Sequence, residues 1–253
     1  MFTNIRYIFI TAFRDNMFWV LLGGVMAAAL IAHAMGSTAI IDKQNLTLSY
    51  SSNAARVMII VGLIVFVCSH LHATFVNQEI HVFLSRPITR TNLVISYWVG
   101  FANVAFLHVL ATIGLLALQG VINWDGYLFW SLSLLLECWM AVAIALFASF
   151  TLKSGVASVI ASLGVYVMAR MMAFFIATTH SGFLFDQHWL NLILIYAIKG
   201  VSIMMPRLDF FTKSDWLVSG IRFEEFKLFA LQAVIFIPLL VLATIADFRR
   251  KDF

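Results

Sequence analysis

RVMIIVGLIVFVCSHLHATFV, Arg56–Val76, is an apolar run whose one charged residue is the arginine that opens it. A helix rising 1.5 Å per residue needs ~20 such residues to cross a ~30 Å hydrocarbon layer, and this run supplies them. Further runs of similar length lie on either side, approximately Met17–Met35, Asn92–Gln119, Tyr127–Leu152, Val156–Thr178 and Phe226–Ala246. The 253-residue chain is 62% hydrophobic and 11% charged, whereas soluble domains carry about 25% charged residues. One water-soluble core cannot absorb that much apolar surface. The sequence therefore predicts an all-α integral membrane protein with six transmembrane helices in a single domain, 1–253, whose six-span region covers 17–248.

Composition excludes several classes. The formal net charge of +4 is small and scattered, so no nucleic-acid partner is expected, and a short basic tail over 249–253 reads as a topology signal or a contact with anionic lipid. Cys68 and Cys138 both fall inside apolar runs, which fits packing residues better than a disulfide framework or a zinc site. No small-residue cleavage site follows a short apolar core near the N-terminus, so the first hydrophobic segment is expected to stay.

An even number of spans puts both ends on one side of the membrane. Arg6, Arg14, Arg86, Arg90, Lys153, Arg249, Arg250 and Lys251 fall on that side, against Lys43 and Arg56 in the opposite short loops. The excess of positive charge predicts cytoplasmic termini and an inner-membrane location. The long outer connector Thr179–Glu225 works against this count, adding Lys199, Arg207, Lys213 and Arg222, with Lys227 at its edge.

Before the first span, over 1–16, Ile5, Ile8, Phe9, Ala12 and Phe13 recur at helical spacing with Arg6, Arg14 and Asp15 off the stripe. This reads as an amphipathic helix in the inner interface, the alternative being a simple extension of the first span. In the outer connector, WLNLILIYAIKGVSIMM (189–205) is short and interrupted by Lys199 and Gly200. A re-entrant or surface helix is expected there rather than a seventh span, which would also carry Arg249, Arg250 and Lys251 outside.

Between the second and third spans lies NQEIHVFLSRPITRTNLVIS, Asn77–Ser96. A polar helix start, the apolar pair Phe83–Leu84, a proline that stops the helix after Arg86 and a new N-cap within Thr89–Asn92 describe a short surface helix turning back into the membrane. Read by composition alone it is equally a solvated loop with positive-inside arginines. A mere connector needs only a few polar residues, as Lys153–Gly155 shows.

The pattern Glu79, then Phe83–Leu84–Ser85–Arg86–Pro87–Ile88–Thr89–Arg90 resembles the "E…LLSxPISR" segment of permease subunits in type-2 superfamily ATP-binding-cassette (ABC) exporters. In that family it forms the coupling helix that docks on the nucleotide-binding subunit. The N-terminal helix, the six spans, the proline-centred MMPRLDFF (204–211) and the terminal ADFRRKDF (246–253) are similar to the same family along nearly the whole chain. Ile80–His81 departs from it, since many members carry a small or acidic residue there. The resemblance implies an exporting or flipping permease in which Glu79, Phe83, Leu84, Arg86, Pro87 and Arg90 contact the ATPase. It also implies two ATPase copies, a second permease copy in a homodimer or a related heterodimer, and a substrate path near the permease–permease interface.

The chain has no G-x-x-x-x-G-K-[ST] phosphate loop, so ATP and Mg²⁺ are expected on the separate ATPase, with no cofactor, metal or catalytic residue in this chain. His70 and His72 form H-x-H, which on a helix points the rings ~200° apart and suits one metal poorly. His33, His108, His180 and His188 are scattered, and Glu137–Cys138 has no neighbouring histidine. No Ser/His/Asp, G-x-S-x-G or H-E-x-x-H arrangement supports an intramembrane enzyme. A channel or a non-transport assembly subunit remains open, because the sequence demands on these are loose.

Apart from histidine, Glu137 and Arg170 are the ionisable residues well inside the predicted spans. Each lies about 16 residues, or about 25 Å, from the tight turn at Lys153–Gly155. Antiparallel neighbours joined by so short a turn must touch, so an intramembrane charge pair is expected, the alternative being that each side chain faces a polar cavity by itself. A lone charge costs at least about 2.5–3.5 kcal/mol near the bilayer centre, and pairing is the usual solution.

Overall fold

The computed structural model describes residues 2–14, 16–38, 42–77, 89–152, 154–180, 188–211, 213, 216–220 and 223–250. Among them every regular element is helical: α1 (Phe2–Arg14), α2 (Met17–Ser37), α3 (Lys43–Val76), α4 (Arg90–Ala117), α5 (Trp124–Thr151), α6 (Gly155–Arg170), α7 (Met172–His180), α8 (His188–Met204), a 3-10 turn (Leu208–Phe211), α9 (Trp216–Ser219) and α10 (Phe223–Arg250). The helices α2, α3, α4, α5 and α10 are each long and apolar enough to cross a membrane, and the pair α6–α7, bent by 48°, makes a sixth candidate if taken as one span. The chain is a multi-pass helical membrane protein.

Several helix starts follow directly from side-chain chemistry. Thr89, Asn123 and Ser154 sit in extended backbone ahead of α4, α5 and α6, and each accepts a hydrogen bond from the backbone N–H three residues on. Each thereby satisfies one of the donors a helix leaves free at its first turn. Between α1 and α2, Asn16 takes a left-handed conformation (φ 54°), so these are two helices and not one extended span.

The second long helix departs from the sequence expectation. It begins at Lys43, thirteen residues before the apolar run opens, and is 34 residues long. Hydropathy marks KQNLTLSYSSNAA as a loop, but its polar groups bond back into their own helix: Thr47 Oγ1 donates to the Lys43 carbonyl, Ser52 Oγ to that of Ser49, and Asn53 Nδ2 to that of Ser49. The helix also packs antiparallel on α2, with Thr47 of the extension against Gly36 and, further along, Gly62 against Leu21. Small residues at such crossings let the backbones close in, and close packing drives helix association in lipid.

The helix α5 is the centre of the bundle, touching α3, α4, α6, α9, α10 and the 3-10 turn. Its stretch Met140–Leu146 is buried almost completely. Against it α6 presents the stripe Ser158, Ser162, Tyr166 and Ala169. The amphipathic α1 buries Ile8 and Ala12 and lays Ile8 on Gly100 of α4, while Arg6, Tyr7, Ile10 and Arg14 stay exposed.

The fifth predicted span, Val156–Thr178, is broken at Met171 rather than continuous. In the last connector the chain leaves α8 and turns inward: Leu208 and Phe211 are fully buried, and the rings of Phe211 and Trp216 both pack, tilted, against Phe229 of α10. The 3-10 turn thus lies among α5, α6, α7 and α10. Irregular backbone at such depth is tolerated where protein surrounds it and supplies its hydrogen bonds.

Candidate functional site: a charge cluster inside the bundle

Glu137 stands near the middle of α5 and Arg56 about thirteen residues into α3, each ~20 Å from the start of its helix. Both side chains are fully buried, and Arg56 Nη1 lies 2.5 Å from Glu137 Oε2. The same Nη1 donates to the Phe211 carbonyl at 2.6 Å, and Nη2 to Ser133 Oγ at 3.0 Å. Ser133 Oγ in turn donates toward the Trp130 and Phe211 carbonyls. The Arg56 guanidinium also lies over the Trp130 ring, 5.1 Å from its centroid. Its Nε has no hydrogen-bond partner among the described residues.

The other carboxylate oxygen faces α6. Tyr166 donates its hydroxyl to Glu137 Oε1 at 2.9 Å and accepts from Arg170 Nη1 at 2.7 Å. Arg170 Nη1 itself stands 3.8 Å from Glu137 Oε1, so Arg170 reaches the carboxylate chiefly through Tyr166. Taking a carboxylate and a guanidinium out of water costs several kcal/mol per ion, and only close geometry with further hydrogen bonds offsets it. Here the acid draws donors from α3 and α6, while the arginine finds acceptors on α5 and the 3-10 turn. The cluster therefore ties four segments of the chain together.

A second set of polar contacts closes one end of the bundle. Arg90, at the first turn of α4, donates through Nη1 to the Phe248 and Arg249 carbonyls and lies over the Phe248 ring. Arg249 Nη2 donates to Thr91 Oγ1 at 2.8 Å. A cation is thus held against the carbonyl end of α10, where the helix dipole favours it.

Of the residues singled out from sequence, Arg90 is engaged at the α10 terminus, and Glu137 and Arg170 share Tyr166. Glu79, Phe83, Leu84, Arg86 and Pro87 lie outside the described residues. The H-x-H rings turn to different neighbours, His70 to Phe66 and Phe101, His72 to Gly155. Arg56, Tyr166, Ser133 and the Phe211 carbonyl were not anticipated. Arg56 reads as the border of an apolar run, and only the extension of α3 beyond that border moves it inside. No protein-family model matches the chain, and no curated protein matches it.

Proposed function

We propose that the chain is the membrane permease subunit of an ABC transporter, exporting or flipping its substrate with ATP hydrolysed on a separate nucleotide-binding subunit. The observation that carries this reading is Glu79 followed by FLSRPITR (83–90) in the connector between α3 and α4, the segment that resembles a coupling helix. The contacts of Arg90 with Phe248 and Arg249 support it, because they place the end of that connector beside the C-terminal end of α10. Arg90, Arg249 and Arg250 then gather at one end of the bundle, which is cytoplasmic by the positive-inside tendency.

In this arrangement α1 lies in the cytoplasmic interface with Ile8 and Ala12 turned to the bundle, and α8 with the 3-10 turn forms a re-entrant element on the far side. Phe83 and Leu84 insert into a groove on the ATPase, and Glu79 and Arg86 set orientation from the rim, where charge governs approach more than affinity. Closure of two ATPase copies moves two permease copies as near-rigid bodies through these connectors. Leu84→Asp tests the reading in the complex isolated from its native membrane. Loss of the co-purifying ATPase, or of its ATP turnover, is the expected result. Wild-type values for both would leave the segment a plain loop and return the chain to the channel or assembly-subunit class.

A further inference from the structure

The buried cluster holds two guanidiniums, Arg56 and Arg170, against one carboxylate, Glu137. Arg56 is the closer partner at 2.5 Å and is sealed from solvent, so it takes up most of the charge of Glu137. One formal positive charge is left over, and it resides on Arg170. That side chain is 25% exposed, and its single hydrogen bond among the described residues is the one from Nη1 to the Tyr166 hydroxyl. The remaining edge of the guanidinium, with Nε and Nη2, carries donors arranged as a fork that matches a carboxylate or phosphate oxygen pair.

The described surroundings do not supply the missing negative charge. Among the described residues no carboxylate other than Glu137 lies within ion-pair distance of Arg170. Asp209, on the 3-10 turn packed against α6 and α7, is held by Arg207 at 2.8 Å. The C-terminal end of α6 would favour a cation, but the N-terminal end of α7 begins just beyond Met171 and opposes it. An excess cation partly screened from water within an apolar bundle is costly, and in membrane proteins such residues face a partner or a polar path.

We propose that Arg170 is an anion-binding site, in which the free edge of its guanidinium takes one carboxylate- or phosphate-type oxyanion at the break between α6 and α7. A lipid headgroup and a soluble anion offer the same chemistry. Tyr166 orients the guanidinium, and Glu137 with Arg56 fixes Tyr166. The inference goes beyond the transporter reading and does not depend on it, since binding requires no ATPase.

The test uses the full chain in nanodiscs of phosphatidylcholine with or without phosphatidylglycerol, and separately in detergent with inorganic phosphate. Native mass spectrometry counts retained phosphatidylglycerol, and mass mapping of phenylglyoxal adducts reads the accessibility of Arg170 in the unmutated protein. Phosphatidylglycerol or phosphate should protect Arg170 from the reagent. Arg170→Gln should reduce retention of the anion about tenfold, the loss of one charge-assisted contact, and Arg170→Lys should reduce it less. Protection by the lipid alone assigns the headgroup, and protection by phosphate alone assigns a soluble anion. Equal modification of Arg170 with and without both anions overturns the proposal, even if Arg170→Gln fails to fold.

Discussion

Arg56 and Glu137, 81 residues apart in sequence, meet at 2.5 Å with neither side chain exposed to solvent. Arg170, by contrast, stands 3.8 Å from the same carboxylate and is a quarter exposed. The two arginines therefore differ sharply in what their removal does. Breaking a fully buried pair on one side leaves an uncompensated charge and typically costs about 3–5 kcal/mol. Arg56→Gln and Glu137→Gln are each expected to lower thermal stability in detergent by that order, with the double variant recovering a good part. Arg170→Gln should cost at most about 1 kcal/mol, as for partly solvated pairs. A double-mutant cycle in which Arg170 couples to Glu137 as strongly as Arg56 does would contradict the geometry.

Glycine positions give a prediction of opposite signs. A Cβ at Gly126 would collide with the Trp216 carbonyl oxygen, and backbone cannot swing aside. Gly126→Ala is expected to cost about 1–3 kcal/mol through overpacking at the contact of α5 with α9. Gly164 has nothing within 4 Å of the same position, so Gly164→Ala should be neutral or stabilising by up to about 1 kcal/mol, the helix preference of alanine over glycine. Melting temperatures of the two variants, measured side by side, check both signs. A stable Gly126→Ala would mean that α9 does not lie against the start of α5.

How far the sequence led depended on which groups carried the information. Apolar runs mark the cores of the long helices because hydropathy is a property of side chains, and Thr89 announces the start of α4 because its cap is local. The start of α3 is hidden, since Thr47, Ser52 and Asn53 read as polar although they bond within the helix. Counting residues from Lys153 sets Glu137 and Arg170 at one depth, but no count reaches Arg56 while its helix is taken to begin there. The Phe211 carbonyl is beyond any such reading, because every residue has one and only the inward turn of the connector aims it at Arg56.

Arg90 joins the first turn of α4 to the last turn of α10 through the Phe248 and Arg249 carbonyls. Arg90→Gln should release that end of α10, costing about 0.5–1 kcal/mol as for a cation lost from a helix C-terminus. Hydrogen exchange should quicken in the last turn around Phe248 and not in the middle of α10. Uniform exchange along α10 in wild type and variant alike would show that the contact does not order the terminus.

Topology offers the last prediction, and the structure changes which residues can report it. Ser51 falls between the first two predicted spans, but it is buried within α3 and accepts from Gln119 Nε2 at 3.0 Å, so a cysteine there would label poorly on either side. Lys43 at the start of α3 is exposed, as is Ser154 between α5 and α6. Because α5 runs from one end of the bundle to the other, Ser154 lies at the opposite end from Trp124. Gln119 places the end of α4 beside the N-terminal part of α3, so Lys43 shares the end that holds Trp124. In a background free of Cys68 and Cys138, a membrane-impermeant thiol reagent applied to intact cells should label Lys43→Cys. Ser154→Cys should stay protected until the membrane is opened. Substituting both cysteines by alanine removes little volume from the core, which keeps the background usable. Labelling of Ser154→Cys from outside would place the α3–α4 connector outside as well, and an ATPase in the cytoplasm could not then reach Phe83 and Leu84.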